Sequence, residues 1–597
     1  MMDRAHLTAL ALAAVVACAP AAAPHGTAPP PPSPSQSWVQ RSNALAQPLL
    51  DTFARYQPEI ASKFGVTTVD DQVVDLKPGY KERSRADLQK VIDTMQGELA
   101  KETDPAVRQD LQIMIDTAHR AIAQTELEEK LMVPYIDLPR TVFFGMRSLL
   151  DDQVTPERRT KAIVRLRRYA GDEPGWQPVT ALAEAYTREQ LKNPALLGPF
   201  VGEIQKNLGQ DQYFIDGVEK LLAKYHVAGY EPVFAKLKSQ LVEYNAFIQK
   251  EVLPRARADF RLPPPLYALA LQDAGIDVPP GRLIALGHAA FDETQKAMQE
   301  LAPKVAKARG LSVTDYRDVI RALKKEQVQG DAIMALYKTR IASIERIIRD
   351  HHLVTLPQRP MIFRFATAAE SAATPAPHMD IPQLLGNTGQ KGSFVLPLEI
   401  PAAPGQKGDQ KFDDFTFDAA SWTLTAHEGR PGHELQFDTM VEHGVSTARA
   451  LFALNSTNAE GWGLYSEWLL YPYMPDDGKL ISLQHRLLRS ARAFLDPELQ
   501  AGKVTPERAG QILRDDVVLS PALANEEVER YTFWAPGQAP SYYYGFTQLL
   551  SIRQEAEHAL GGKLDLEKFH DFILDQGLVP PPLLRKAVEE QFIPAQR

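Results

Sequence analysis

The chain has one cysteine, Cys18, among 597 residues. A lone thiol makes no disulfide within the chain, and this one sits in the leader, so a metal site in the folded part has to be built from imidazoles and carboxylates. Basic charge is also short: 66 Lys and Arg stand against 75 Asp and Glu, a net charge of -9. Nucleic acid is excluded as a partner on that ground, because phosphate binding needs a basic patch. The Arg-rich stretch 158–168 alternates charged with apolar residues and reads as the wet face of an amphipathic helix. No fixed internal period marks a repeat protein. The apolar run Leu7 to Ala17 is too short to span a bilayer, which needs ~20 residues.

What that run does suit is export. One arginine, the apolar run and then Val15-Val16-Ala17-Cys18 look like a bacterial lipoprotein signal, with residues 1–17 cleaved and Cys18 lipidated; Asp3 departs from a purely basic leader. Ala19 follows the cysteine where an inner-membrane retention signal has aspartate, which points to the periplasmic face of the outer membrane. The lipid would be the sole membrane attachment. Residues 18–37, rich in Pro and Ala with Pro29 to Pro32 in a row, cannot build a core and read as an extended spacer.

From Trp38 the composition is globular, and about 560 residues exceed one ordinary core, which stops growing at ~250–300 residues. Two lobes are therefore expected, 38–350 and 351–597. Apolar residues recur every three or four positions in stretches 84–102, 106–128, 156–169, 178–192, 211–225 and 232–252, then 281–307, 313–324 and 330–350, so the first lobe reads as helical. Residues 361–365 and 393–400 have the alternation of strands and predict a small β-sheet before residue 427. Such a strand either takes an extended peptide along its edge or merely covers the core. The fold class is mainly α.

The motif is His427-Glu428-Gly429-Arg430-Pro431-Gly432-His433. Two imidazoles with a carboxylate beside the first resemble the zincin arrangement, in which histidines four apart share a helix face and the glutamate acts on water. Six residues at ~100° each put these histidines about 120° apart around a straight helix. An undistorted helix fails, and Gly429, Pro431 and Gly432 are the residues that let one break or bulge. A plain loop at a helix end is the other reading. Asn455 to Asn458 look like a helix start, placing Glu460 in its first turn, either as a third ligand or as a complement to the helix dipole.

With HEGRPGHELQ at 427–436, EGWGLYSE at 460–467 and PGQAPSYYYG at 536–545 followed by Arg553, the chain resembles the bacterial family catalogued as domain of unknown function 885, regarded as zincin-like metallopeptidases. Weaker echoes lie at 64–76 and 569–577. The resemblance implies that His427, His433 and Glu460 bind one zinc ion, that Glu428 is the general base, and that Tyr542 and Arg553 are the motif tyrosine and arginine. Tyr542 would donate to the oxyanion, or else simply pack; Arg553 would bind a substrate carboxylate, or else form an ion pair. Glu434 and Glu467 are candidates to orient a ligand imidazole. His443, His485, His558 and His570 read as surface or capping residues rather than ligands. The expected function is zinc-dependent peptide hydrolysis. Two rivals are a peptide-binding lipoprotein without catalysis and a metal-dependent amidase or esterase acting on non-peptide substrates.

Overall fold

The computed structural model describes residues 34–400 and 410–597. The leader, Cys18 and nearly all of the spacer lie outside the described residues, and the first helix, Pro34–Tyr56, begins within the spacer's last four. Among the described residues no helix is long and apolar enough to cross a membrane.

The molecule is mainly helical. Helices stand at Tyr80–Leu99, Pro105–Leu131, Val179–Leu191, Tyr230–Phe247, Pro280–Arg309, Tyr316–Leu323 and Asp331–Asp350, where the three-to-four periodicity places them. Their starts have local causes. Asp104 accepts from the backbone N–H of Ala106 and Val107, and Pro105 fills the first helical position, where its missing N–H costs nothing. The stretch expected at 211–225 is longer, Val201–Lys224, because it packs along a helix the periodicity does not single out, Leu138–Arg147. Phe143 and Phe214 meet between them at 5.7 Å. Tertiary burial carries the helix through Gly202 and Gly209 despite their poor propensity.

The small sheet is present and mixed. Strand β1 (Ile362–Phe365) runs parallel to β3 (Ser393–Leu396), and β2 (His378–Asp380) runs antiparallel to β3 on its other side. Phe363 on β1 lies 5.0 Å from Phe394 on β3 and stacks on Tyr337 at 4.7 Å, which fixes the sheet against Asp331–Asp350. Two further short strands, β4 (Glu399–Ile400) and β5 (Gln410–Lys411), pair antiparallel. The segment leading into β1 abuts the 427–433 motif: Arg430 donates to the carbonyl of Arg359, and Met361 Sδ is 3.0 Å from where a Cβ on Gly429 would lie.

Residue 350 marks a change of texture along the chain, but the cores reach across it. One joins Ala46, Ile92 and Met114 to Leu435, Trp462, Tyr542 and Val588; another lies within the first half and takes in Ala369 and Ala373. A third packs Pro280–Arg309 along the helix Asp476–Gln500. Gly287 permits that approach, since a Cβ there would meet Ala493 and the backbone of Phe494 at 3.0 Å.

Candidate metal centre

The helix Asp418–Glu428 ends on the first half of the motif and a new helix, His433–His443, starts on the second histidine. The chain therefore breaks instead of bulging. Between them Gly429 to Gly432 double back so closely that a Cβ on Gly432 would lie 1.9 Å from the carbonyl oxygen of His427. A side chain at that position has no room, which is why the break needs glycine. The Arg430–Pro431 bond within it is cis. The outcome is that the rings of His427 and His433 stand nearly perpendicular with centroids 4.7 Å apart.

Glu460 comes from the helix Ser456–Leu470, which Asn455 caps by accepting from the Asn458 N–H at 2.8 Å. The glutamate is the fifth helical residue, one turn deeper than the sequence suggests, because the cap falls on Asn455 and leaves Ser456 to Asn458 inside the helix. From there its carboxylate reaches within 3.4 Å of His427 Nε2 and 3.3 Å of His433 Nε2. One ligand atom from each of the three side chains lies within 4.8 Å of the other two. Gly463, three residues on, makes space for the first imidazole, since a Cβ there would be 2.5 Å from His427 Cε1.

Glu467 on the same helix accepts from His427 Nδ1 at 2.8 Å and from the Thr423 hydroxyl at 2.6 Å. Burial pushes the Glu467 carboxyl up, but Arg489 and His427 outweigh it and hold it at about 2. An ionised carboxylate on Nδ1–H leaves the lone pair on Nε2, the atom that faces Glu460. Burial disfavours a charged His427, yet Glu460, Glu467 and Glu428 raise it to about 9. For Glu460 the two imidazoles overcome burial and hold the carboxyl well below its ordinary range. Glu428 is raised by burial, against the pull of the imidazoles, and its carboxylate stands 3.9 Å from His427 Nε2. Carboxylates in excess around two imidazoles demand positive charge, and a divalent cation meets that demand as a proton does. Two Nε2 atoms and a carboxylate are a zinc-type donor set with room for a further ligand.

Other expected roles separate in space. Glu434 does not hold His433: Arg430 takes it with hydrogen bonds of 2.6 and 3.0 Å, while His433 Nδ1 is buried without a partner among the described residues. The Tyr542 ring lies parallel to that of His427 with centroids 6.3 Å apart, and its hydroxyl accepts from Arg530 at 3.3 Å. Arg553 donates to Glu557 at 2.7 Å and to the Tyr465 hydroxyl at 3.1 Å, with its guanidinium 5.0 Å over Trp468, so its donors serve the ion-pair reading. His443 is exposed against Asp575, but His485 and His570 are buried, which corrects their reading as surface residues. Next to Tyr542 stand Arg489, Arg492 and Arg530, which the sequence reading does not single out. The signal available for two of them is Arg489-Ser490-Ala491-Arg492, arginines three apart within an apolar helical run.

A family model described as bacterial protein of unknown function (DUF885) matches residues 58–588. Two solved structures share the fold. A protein from Colwellia psychrerythraea described as a putative lipoprotein is 19% identical, with a TM-score of 0.73 over 94% of this chain and 99% of that one. A second from Shewanella oneidensis, described as a putative lipoprotein of unknown function, is 18% identical, with a TM-score of 0.67 over 93% of this chain and 100% of that one. No curated protein matches.

Proposed function

We propose, from the premise that this chain belongs to the DUF885 family, that it is a zinc-dependent peptidase. One observation carries the reading. His427 Nε2, His433 Nε2 and the Glu460 carboxylate converge within 4.8 Å, and a fourth group, Glu428, stands beside them outside the ligand set. A purely structural zinc site closes its coordination with protein ligands and has no use for that carboxylate. His427, His433 and Glu460 would hold the ion, which when bound supplies Lewis acidity and a more acidic water at neutral pH.

The remaining chemistry belongs to the protein. Glu467 keeps the proton of His427 on Nδ1 and so presents Nε2 as a donor. Glu428, its proton affinity raised by burial, takes a proton from the attacking water at its carboxylate and hands it to the leaving amine. Tyr542 accepts from Arg530, which leaves its own O–H free to donate to the carbonyl oxygen as charge develops there. Extended peptide is the substrate class. We also propose that the chain is exported and lipidated at Cys18, held by the spacer at the periplasmic face of the outer membrane.

The test is metal analysis of the purified protein together with mass spectrometry of products from a mixed peptide library. Stoichiometric zinc and chelator-sensitive cleavage are expected. Glu428→Gln should keep the zinc and lose about 10²–10⁴-fold in turnover. Cleavage that persists through chelation, or in Glu428→Gln, defeats the reading; bound zinc with no turnover points to a binding protein, and turnover of non-peptide amides alone to an amidase.

A further inference from the structure

Three guanidinium groups surround one face of the site. Arg492 lies 4.3 Å from the centroid of the Tyr542 ring, Arg530 5.9 Å and Arg489 6.0 Å. They come from two segments, the helix Asp476–Gln500 and the turn Arg530–Trp534, so no single helix pattern produces the cluster. Like charges this close repel unless anions balance them. The anions present do so unevenly. Glu527 takes Arg492 on both oxygens, from Nε at 2.7 Å and from Nη2, which leaves Nη1, and it also takes the Tyr531 hydroxyl. Glu467 reaches Arg489 at 3.5 Å but spends its shorter bonds on His427 and Thr423. Among the described residues Arg489 otherwise donates only to the His485 carbonyl at 3.4 Å, and Arg530 is held as loosely, by Glu526 at 3.6 Å and the Tyr542 hydroxyl at 3.3 Å, with 17% of its side chain open to solvent.

Donors are left over. Arg489 Nε and Arg492 Nη1 are buried with no hydrogen-bond partner among the described residues, on side chains 7% and 6% exposed. Burial also raises two neighbouring carboxyls, Asp496 and Glu526, to about 7, while Arg492 and Arg530 outweigh burial at Glu527 and hold it at about 2. Guanidinium forks with spare N–H groups match a carboxylate in a bidentate manner. The Tyr542 ring lies 6.3 Å from the His427 ring and no more than 6.0 Å from each guanidinium, and Glu467 touches both Arg489 and His427. At ~3.3–3.6 Å per extended residue, a carboxylate held there lies no more than about three residues from a carbonyl at the metal centre.

We infer that Arg489, Arg492 and Arg530 form a recognition site for the C-terminal carboxylate of the peptide, so that the protein releases short fragments from peptide C-termini. This rests on the peptidase reading of the same centre. A carboxylate on an internal Asp or Glu side chain has the same chemistry, and the experiment separates the two. The full chain carrying Glu428→Gln and loaded with zinc is titrated calorimetrically with three peptides of one neutral sequence: the free acid, the C-terminal amide, and the amide with one internal glutamate.

The free acid should bind at least tenfold tighter than either amide. Arg530→Gln added to Glu428→Gln should reduce the gap between acid and plain amide to less than about twofold; a thermal melt checks its folding, and the wild-type product pattern serves as a readout that needs no arginine variant. Equal binding of acid and amide, or glutamate-bearing amide binding as tightly as the acid, overturns the inference. The two proposals fail separately. Wild-type cleavage of acid and amide at equal rates sinks the C-terminal site and leaves the peptidase, whereas selective binding of the acid with no cleavage of any peptide sinks the peptidase and leaves the site.

Discussion

Glu467 decides which nitrogen of His427 is free, because its carboxylate occupies Nδ1 at 2.8 Å and is itself held by Thr423. Glu467→Gln keeps the size and one acceptor but removes the charge. Zinc affinity measured by competition with a chromophoric chelator should drop ~10–100-fold, the usual cost of losing a carboxylate behind a ligand imidazole. An unchanged affinity would mean that Thr423 and packing already fix the ring. His427, Glu428, His433 and Glu460 stood out in the sequence as candidates, but spacing alone left a plain loop and a helix-dipole role open, and the family resemblance was what joined them into one set. Glu467 was legible only as a nearby carboxylate, since its bond to His427 spans 40 positions of sequence. The arginines around Tyr542 were not legible, because each looks like an ordinary helix residue and only folding brings their charges together.

At the scale of elements, the Gly-Arg-Pro-Gly break and the strands before it follow from composition, but whether the helix bulged or ended did not. That depended on how near the returning chain passes to the His427 carbonyl, a tertiary distance. The helix Leu138–Arg147 escaped for a related reason: ten residues with Pro139 and Gly145 inside carry little periodic signal, and Asp137, accepting from the Arg140 N–H, fixes the start. The crossing of Ser456–Leu470 with Ser541–Ala559 makes the same point through glycine. A Cβ on Gly545 would lie 2.0 Å from the Thr457 carbonyl and 2.9 Å from Gly461 Cα, so the two helices touch through bare backbone. Gly545→Ala should force them apart and cost ~1–3 kcal/mol, typical of overpacking. Because Glu460 adjoins Gly461, zinc affinity should fall in the same variant. A melt that drops while zinc affinity stays at the wild-type value would show that the crossing does not position the glutamate.

Over the whole molecule, burial acts on titratable groups in both directions, and the sign of each determines how acid affects stability. Asp496 and Glu526 are raised to about 7, so the native state binds their protons first and gains stability as pH falls from 7 toward 4. His378 and His570 behave oppositely. Burial lowers them to about 3 and about 4, against an ordinary value near 6.5. Burial holds His570 neutral, aided by the charge of Arg553 and opposed by the Leu353 carbonyl, and the contacts fix its tautomer: Arg553 donates to the Tyr465 hydroxyl, which lies 2.8 Å from His570 Nε2, while Nδ1 lies 2.6 Å from the Leu353 carbonyl. Only a neutral ring, protonated on Nδ1, donates to that carbonyl while accepting from the tyrosine. Its stabilising effect is complete above pH 6.5, where native and unfolded rings are both neutral. It is lost as pH falls through 6.5 toward 4, because the unfolded ring takes up a proton that the native one refuses. The opposing carboxyls mask this in the wild-type curve, so the test is a difference between proteins. Gln at position 570 can donate to Leu353 and accept from Tyr465 without titrating. Relative to wild type, His570→Gln should gain ~2 kcal/mol in unfolding free energy between pH 7.5 and pH 5, at ~1.36 kcal/mol per unit below the unfolded value. Urea titrations of both proteins at the two pH values give the double difference; a value near zero would mean that the native His570 is protonated by pH 5 and that burial beside Arg553 does not keep it neutral.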